Sequence, residues 1–366
     1  IRHSSFVIRH SSFVIMPWTR AILHVDMDAF YVNVHLLAHP EDAGIPLAVG
    51  GRPDERGVVT SASYEARQFG VRSAMPTAVA LRLVPRLKVV PPDWPRIREC
   101  SRAVMVVLAR YGPLEKMSVD EAYIDLLDAA DPLATAAEVR ERVPAETQLP
   151  ASVGLATSKL VAKVASGFNK PRGLMVVPPG GEAAFLAPQP ARVIWGIGPR
   201  TAERLAALGI TTCGELAAAD PDRLRAAFGR EADNLMRRAR GEDDRPVMPD
   251  RGPAKSISQE WTFNSDVGDA ATLRDYLERM SAEVAEQLRQ ENLLARTVRV
   301  KFRWSDFTTF TRQRSLDVGT DEAATIFRVA EALWRENWPP GRPMRLIGVG
   351  ATGLVAVEGR QLGLGL

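Results

Sequence analysis

Residues Ala21 to Tyr31 read AILHVDMDAFY, an apolar run that ends on an acid and turns aromatic. A short apolar segment closing on Asp26 is the pattern of a buried strand that delivers one side chain to its C-terminal edge. Asp28 follows two residues later, on the same side if the strand continues. Farther on, Lys116 to Leu126 (KMSVDEAYIDL) reads as a second apolar strand, and it carries the adjacent pair Asp120 and Glu121. Three carboxylates on neighbouring strands repel one another unless cations lie between them. Hard oxygen ligands favour magnesium or manganese, and two such ions can serve phosphoryl transfer.

The residues around these acids suit phosphate. Ser61 to Val71 (SASYEARQFGV) places Tyr64 and Arg67 three apart, on one face if helical, where a hydroxyl and a guanidinium can grip phosphate oxygens together. Ser158 to Ala165 (SKLVAKVA) reads as a helix opened by a serine cap, and Asn169 to Gly173 (NKPRG) ends it and leaves Lys170 near a turn. A single Lys or Arg on such a helix is ordinarily a solvated residue, so the ensemble carries the argument.

Composition narrows the classes. In 366 residues, 46% are apolar and 25% charged, which excludes a disordered chain, and no apolar run is long enough to span a membrane. Cys100 and Cys213 are too few for a disulfide scaffold or a thiolate zinc site, so a reducing cytoplasm is the expected setting. Lys plus Arg number 47 against 44 Asp plus Glu, a balance that permits a polyanionic partner without demanding one. Arg2 to Ile8 (RHSSFVI) recurs unchanged as Arg9 to Ile15 just before Met16, so residues 1–15 are expected to be a non-native extension.

The ordered blocks HVDMDAFYVNV (His24 to Val34), SASYEARQFGVRSAMP (Ser61 to Pro76), MSVDEAYIDL (Met117 to Leu126), SVGLATSKLVAKVAS (Ser152 to Ser166), NKPRG (Asn169 to Gly173) and VIWGIGPRTAERLAALGITTCGEL (Val193 to Leu216) resemble a Y-family, lesion-bypass DNA polymerase of the bacterial DNA polymerase IV type. KSIS (Lys255 to Ser258), RTVRVKFRWSDFTTFTR (Arg296 to Arg312) and RLIGVGATGL (Arg345 to Leu354) extend the likeness across nearly everything after Met16. The resemblance implies an α+β multidomain fold, a right-hand polymerase. Its parts would be a ferredoxin-like palm (16–29 and 93–177), small fingers (30–92), a helix-hairpin-helix thumb (178–240), a linker (241–254) and a βαββαβ little finger (255–357). It implies that Asp26, Asp120 and Glu121, with the Met27 carbonyl, hold two Mg2+ ions, Mn2+ being a substitute. Lys170, Tyr64 and Arg67 would hold the triphosphate of a deoxynucleoside triphosphate, with Ser61 and Phe30 near the nucleotide and Tyr31 excluding a ribose 2'-hydroxyl. The expected activity is template-directed, low-fidelity DNA synthesis on a primer-template, in translesion synthesis and DNA repair, by a monomer. Small residues at Thr60 to Ser63 agree with a roomy pocket.

Gly196 and Gly198, before a helix, read as a helix-hairpin-helix contact to DNA phosphates. Arg223, Arg225, Arg230, Arg237, Arg238 and Arg240 would extend it. In the last domain Lys255, Ser256, Arg299, Arg303 and Arg312 are the expected DNA contacts, on a sheet surface that Arg296, Lys301 and Arg314 also make basic. The tail Gln361 to Leu366, within 358–366, resembles a degraded sliding-clamp-binding peptide, with Gly365 in the aromatic position. Two departures from the family pattern are His35, where a Glu is common, and Pro144, which is expected to shorten a palm helix. The competing readings are a catalytically silent DNA-bound adaptor in mutagenesis and a nucleotidyl cyclase; the retained acids weigh against the first, and the DNA-binding elements against the second.

Overall fold

The computed structural model describes residues 17–250 and 252–357; the extension 1–15 and the tail 358–366 lie outside them. Two compact units divide the chain. The first runs up to Gly50 and includes 59–75 and 80–250, and the second contains 51–58, 76–79 and the residues from 251 on.

In chain order the first unit contains β1 (Ile22–Met27), β2 (Leu47–Gly50), β3 (Val59–Ala62), β4 (Lys88–Val90), β5 (Leu114–Lys116), β6 (Glu121–Asp125), β7 (Ala151–Ala156) and β8 (Leu174–Val176). Five of them form a sheet ordered β5-β6-β1-β7-β8, and β3-β2-β4 form a smaller one. In β1 only Asp26 is not fully buried, because both faces of the strand are covered. Leu23, Val25 and Met27 pack with Ile97 and Val104 of the helix Trp94–Leu108 and Val139 of the helix Pro132–Thr147. Ile22 packs the other way, with Leu160 and Val161 of the helix Lys159–Ser166. Burial of each large aliphatic side chain stabilises the fold by about 1.5–3 kcal/mol. Alternation then puts Ile22, His24 and Asp26 on one face.

The stretch Lys116 to Leu126 is not one strand. It is a hairpin, β5 and β6 paired antiparallel, in which Met117 N and Ser118 N both donate to Glu121 O. Asp120 therefore lies in the turn, and Glu121 begins the next strand. Pro144 does not shorten its helix either, which runs to Thr147. It occupies the last turns, where one lost donor is tolerated, and its own carbonyl still accepts from Gln148 N.

The expected linker is partly docked. Arg20 donates to the carbonyls of Asp243 and Arg245, Leu160 N donates to Asp243 Oδ2, and Val247 is buried. Beneath it Lys159 and Glu115, both buried, form an ion pair; Glu115 also accepts from Met248 N at 2.9 Å and Lys159 donates to Pro246 O at 3.3 Å. Residues 241–250 thus belong to the first unit.

The second unit is built from β9 (Ser256–Val267), the helix Ala270–Gln290, β10 (Leu293–Trp304), β11 (Thr309–Thr320), the helix Ala323–Asn337 and β12 (Met344–Ala356). This is the expected βαββαβ succession, with sheet order β11-β10-β12-β9. The large sheet of the first unit uses the same succession differently. There the first strand, β1, is interior between β6 and β7, whereas here the first strand, β9, is at the edge. Val298, Val300, Phe302 and Trp304 of β10 share a core with Leu277, Val284 and Ile326 of the two helices.

Lys159→Met should destabilise the first unit by about 2–4 kcal/mol, because the buried Glu115 carboxylate loses the Lys159 ammonium. The double change Lys159→Met with Glu115→Leu should recover most of that loss, as read by chemical denaturation.

Candidate active site

Strand register assembles the acids. Asp26 lies opposite Glu121 across β1–β6 and opposite Ser152 across β1–β7, and Met27 N donates to Asp120 O at 3.0 Å. Asp26, Asp120 and Glu121 therefore meet at one end of the sheet, although they come from distant stretches of chain. Burial above all, opposed by Lys170 and reinforced by Glu121 and Asp120, raises the Asp26 carboxyl to about 6.

Each carboxylate is engaged by a neighbour of its own. Lys170 Nζ lies 2.5 Å from Asp26 Oδ1, Lys163 Nζ donates to Glu121 Oε2 at 2.7 Å, and Ser118 Oγ donates to Asp120 Oδ1 at 2.5 Å. Among the described residues no group of three or more His, Cys, Asp or Glu side chains is arranged to hold a metal ion. Mutual repulsion of the acids, with Lys170 beside Asp26 and Lys163 beside Glu121, accounts for the arrangement. The donor set fits a hard divalent cation, since it consists of carboxylate oxygens at adjacent backbone positions and includes a partly buried acid, Asp26, whose charge is disfavoured.

Asp28, left outside the expected ligand set, is the best-connected acid. It is 1% exposed. Its Oδ1 accepts from Ser152 Oγ at 2.8 Å and from Tyr64 Oη at 3.2 Å, and its Oδ2 accepts from Arg172 N at 2.8 Å. It is able to do so because the chain leaves β1 and turns through Ala29, a non-glycine residue at φ 41°, into the helix Phe30–Leu36. Asp28 thereby joins β1, β7, the Lys170 loop and the short helix Tyr64–Arg67, which Ser63 caps by accepting from Ala66 N. Within that helix the Arg67 guanidinium lies 4.8 Å from the centre of the Tyr64 ring, while its Nε donates to Ala62 O. Burial and the Asp28 carboxylate both hold the Tyr64 hydroxyl well above the ordinary tyrosine range.

The remaining expected residues divide. Tyr31 meets Phe30 and Trp94 edge-on and feels the Asp120 charge. Phe30 is 2% exposed in the main core and so supports Tyr31 from behind, with little surface left to touch a nucleotide. Ser61 is likewise nearly buried, on β3. Ser152 and Lys163 were missed. Lys163 follows Lys159 by four residues on one helix, a spacing that sets both on the same face and was open to detection. Ser152 carries no sequence signal, because only the β1–β7 register makes it opposite Asp26.

Gly196 takes φ 98°, and Gly198 precedes the helix Pro199–Ala206, whose N-terminus has no side-chain cap and is open to a phosphate. The hairpin ends in the helix Cys213–Ala217, closed by a capping box between Thr212 and Glu215. Of the arginines that follow, Arg225, Arg237 and Arg240 are paired with Asp233, Asp244 and Glu242.

In the second unit Arg299 and Arg303 alternate with the buried β10 residues and so face away from the helices. Ser256 is on that same open side, since its neighbour Ile257 is in the core; Lys255 is exposed just before β9. Arg312 does not join them. It lies opposite Val300, whose side is the core side, and its Nε donates to Asn337 Oδ1. Arg314, opposite Val298, pairs with Glu336, and Lys301 pairs with Glu260. The open face is thus less basic than composition implied. It has a shallow trough where Gly348 and Gly350 lie opposite Lys301 and Arg299, and a Cβ on Gly350 would come within 2.7 Å of Arg299 Nε.

Comparison with known proteins gives consistent matches. The impB/mucB/samB family profile matches residues 25–167, and the profile of that family's C-terminal domain matches 254–364. A DNA polymerase IV of Halorhodospira halophila is 42% identical over 351 residues, covering 94% of this chain and 98% of that one. A DNA polymerase IV of Methanoculleus marisnigri is 43% identical over 338 residues, covering 90% and 93%. Among solved structures, the Y-family DNA polymerase chimera Dbh-Dpo4(243-245)-Dbh superposes with a TM-score of 0.83 at 26% identity, covering 92% of this chain and all of that one. An insertion ternary complex of Dbh DNA polymerase gives 0.64 at the same identity and coverage.

Asp28→Ala should cost about 2–3 kcal/mol, since a backbone N–H and two hydroxyls lose their shared buried acceptor. Asp28→Asn, which keeps an acceptor oxygen, should cost less by the same denaturation measurement.

Proposed function

We propose roles for individual side chains from the premise that the chain belongs to the impB/mucB/samB family and is a Y-family, translesion DNA-directed DNA polymerase of the DNA polymerase IV type. It acts on DNA and nucleotides and depends on a divalent metal. The observation that carries the finer assignment is the register of β1: it brings Asp26, Glu121 and the Asp120 carbonyl together beside Lys170.

In this assignment Asp26, Asp120 and Glu121, with the Met27 carbonyl, hold two Mg2+ ions. When bound, the ions supply Lewis-acid charge that stabilises the attacking and leaving oxygens. The chain's own residues do the positioning. Lys170, Tyr64 and the exposed Arg67 hold the triphosphate, and an incoming polyphosphate competes with Asp26 for the Lys170 ammonium. Asp28 keeps the Tyr64 hydroxyl and the Arg172 backbone in register with each other. Tyr31, backed by Phe30 and Trp94, forms a rigid wall against a ribose 2'-hydroxyl. The primer 3'-oxygen attacks the α-phosphorus and pyrophosphate leaves, a reaction governed by alignment and charge.

We assign the palm to 16–29 and 93–177, the fingers to 30–92, the thumb to 178–240 and the little finger to 255–357, a reading the five-stranded sheet and the βαββαβ unit support. The linker shrinks to the residues just after 250, given the docking of Asp243 and Val247. Gly196, Gly198, Lys255, Ser256, Arg299 and Arg303 contact the DNA backbone. The enzyme works as a monomer in the cytoplasm, with the tail as a sliding-clamp contact. No helix among the described residues is long and apolar enough to cross a membrane.

Primer extension tests the assignment. Asp120→Asn and Glu121→Gln should each lower single-nucleotide incorporation by at least about 1,000-fold, while primer-template affinity changes less than about threefold, because most of that affinity comes from phosphate contacts elsewhere. Near-normal incorporation by either variant would remove those acids from the reaction. Separately, Tyr31→Ala should admit ribonucleotides at rates within about tenfold of deoxynucleotides, since the wall that rejects them is gone.

A further inference from the structure

The hairpin that joins β10 to β11 ends in Phe307, whose backbone conformation and exposure are both unfavourable for a large apolar residue. Trp304 and Thr308 are bonded across the tip, Trp304 N to Thr308 O at 3.0 Å, and Phe307 N donates to Trp304 O at 3.1 Å. Three residues thus close the hairpin, and Phe307 takes the third place at φ 66°, in the left-handed region that such loops normally give to glycine. For a bulky residue this is an outlier. The ring repays nothing by packing. It is 62% exposed and forms no part of the domain core.

The surroundings of the ring are cationic. The Arg345 guanidinium lies over one face, 4.3 Å from the ring centre, and Arg342 lies 4.4 Å from the ring centre of Trp304 on the same hairpin. Arg303 is held by Thr309 Oγ1 at 2.7 Å. Asp306 is the acid at the tip, and it is engaged by Thr308 N at 2.8 Å. None of the three arginines forms an ion pair with another described residue. A flat, largely exposed apolar ring with the Arg345 guanidinium over one face, on a hairpin that also carries Arg303, suits a nucleobase on the ring and phosphates beside the arginines.

We propose that Phe307 is a stacking platform for an unpaired base of single-stranded DNA, with Arg345 and Arg303 taking the adjoining phosphates. The inference rests on the reading of the chain as a primer-template-binding polymerase, and deepens it by assigning a residue to the single-stranded part of that substrate.

The full chain can be titrated with a primer-template that has a 5' template overhang containing 2-aminopurine, and with a blunt duplex of the same paired length. The unmodified protein should bind the overhang substrate more tightly and quench the 2-aminopurine. Phe307→Asn, which tolerates the left-handed backbone, should weaken overhang binding about tenfold, abolish the quenching and leave blunt-duplex affinity unchanged. Its melting temperature should stay level or rise. Phe307→Leu should lose affinity to a similar degree. Retained affinity and quenching in Phe307→Leu would overturn stacking in favour of a merely apolar contact, such as one made to a protein. Equal weakening on both DNAs, or a marked fall in melting temperature for Phe307→Asn, would overturn it in favour of a general or structural role. Binding of both DNAs without preference sinks this inference alone, and failure to bind either DNA sinks the substrate reading with it.

Discussion

The antiparallel pairing of β1 with β6 on one side and β7 on the other is the constraint on which the site depends. It sets Asp26 opposite Glu121 and Ser152, and it ties Met27 to the Asp120 carbonyl. A one-residue slip would turn Asp26 toward the helices Trp94–Leu108 and Pro132–Thr147 and point Leu23, Val25 and Met27 the other way. Those apolar side chains and Ile22, packed on opposite faces of one strand, therefore hold the register of the acids as well as the core.

Concentrating acids at one sheet end has an electrostatic cost, and the structure meets it with lysines from two directions. Lys163 comes from the helix that covers the sheet and Lys170 from the loop after that helix. Asp28 is held differently. It is buried and accepts three hydrogen bonds, with the Lys170 ammonium 3.8 Å from its Oδ1, an arrangement suited to organising neighbours. Two kinds of carboxylate thus stand two residues apart in sequence: Asp26, partly exposed and paired with Lys170, and Asp28, buried in a hydrogen-bond network.

Much of this was legible in the residues. The strand ending at Asp26, the serine-capped helix from Lys159, the three-residue spacing of Tyr64 and Arg67 and the βαββαβ succession after residue 255 all follow from local patterning, and all are present. The misreadings have a common cause. Lys116 to Leu126 has no glycine or proline to mark a turn, so its hairpin was hidden. Val247 and Asp243 look like linker residues until the surface of the first unit that binds them is seen. Arg312 and Arg314 counted as part of one basic surface, whereas strand pairing sends them to the helix side.

By itself the sequence determined which segments pair with which chemistry: acids at strand ends, a hydroxyl and guanidinium on one helical turn, glycines where a backbone must stay open. Those properties are local, set by side-chain type and by periods of two and 3.6 residues. Tertiary structure alone decided who faces whom, namely Ser152 toward Asp28, Lys163 toward Glu121, and Arg299 and Arg303 outward while Arg312 is turned away. The physical reason is that register and face depend on how distant apolar surfaces are jointly buried, a property of the whole packed unit that no single stretch of residues contains.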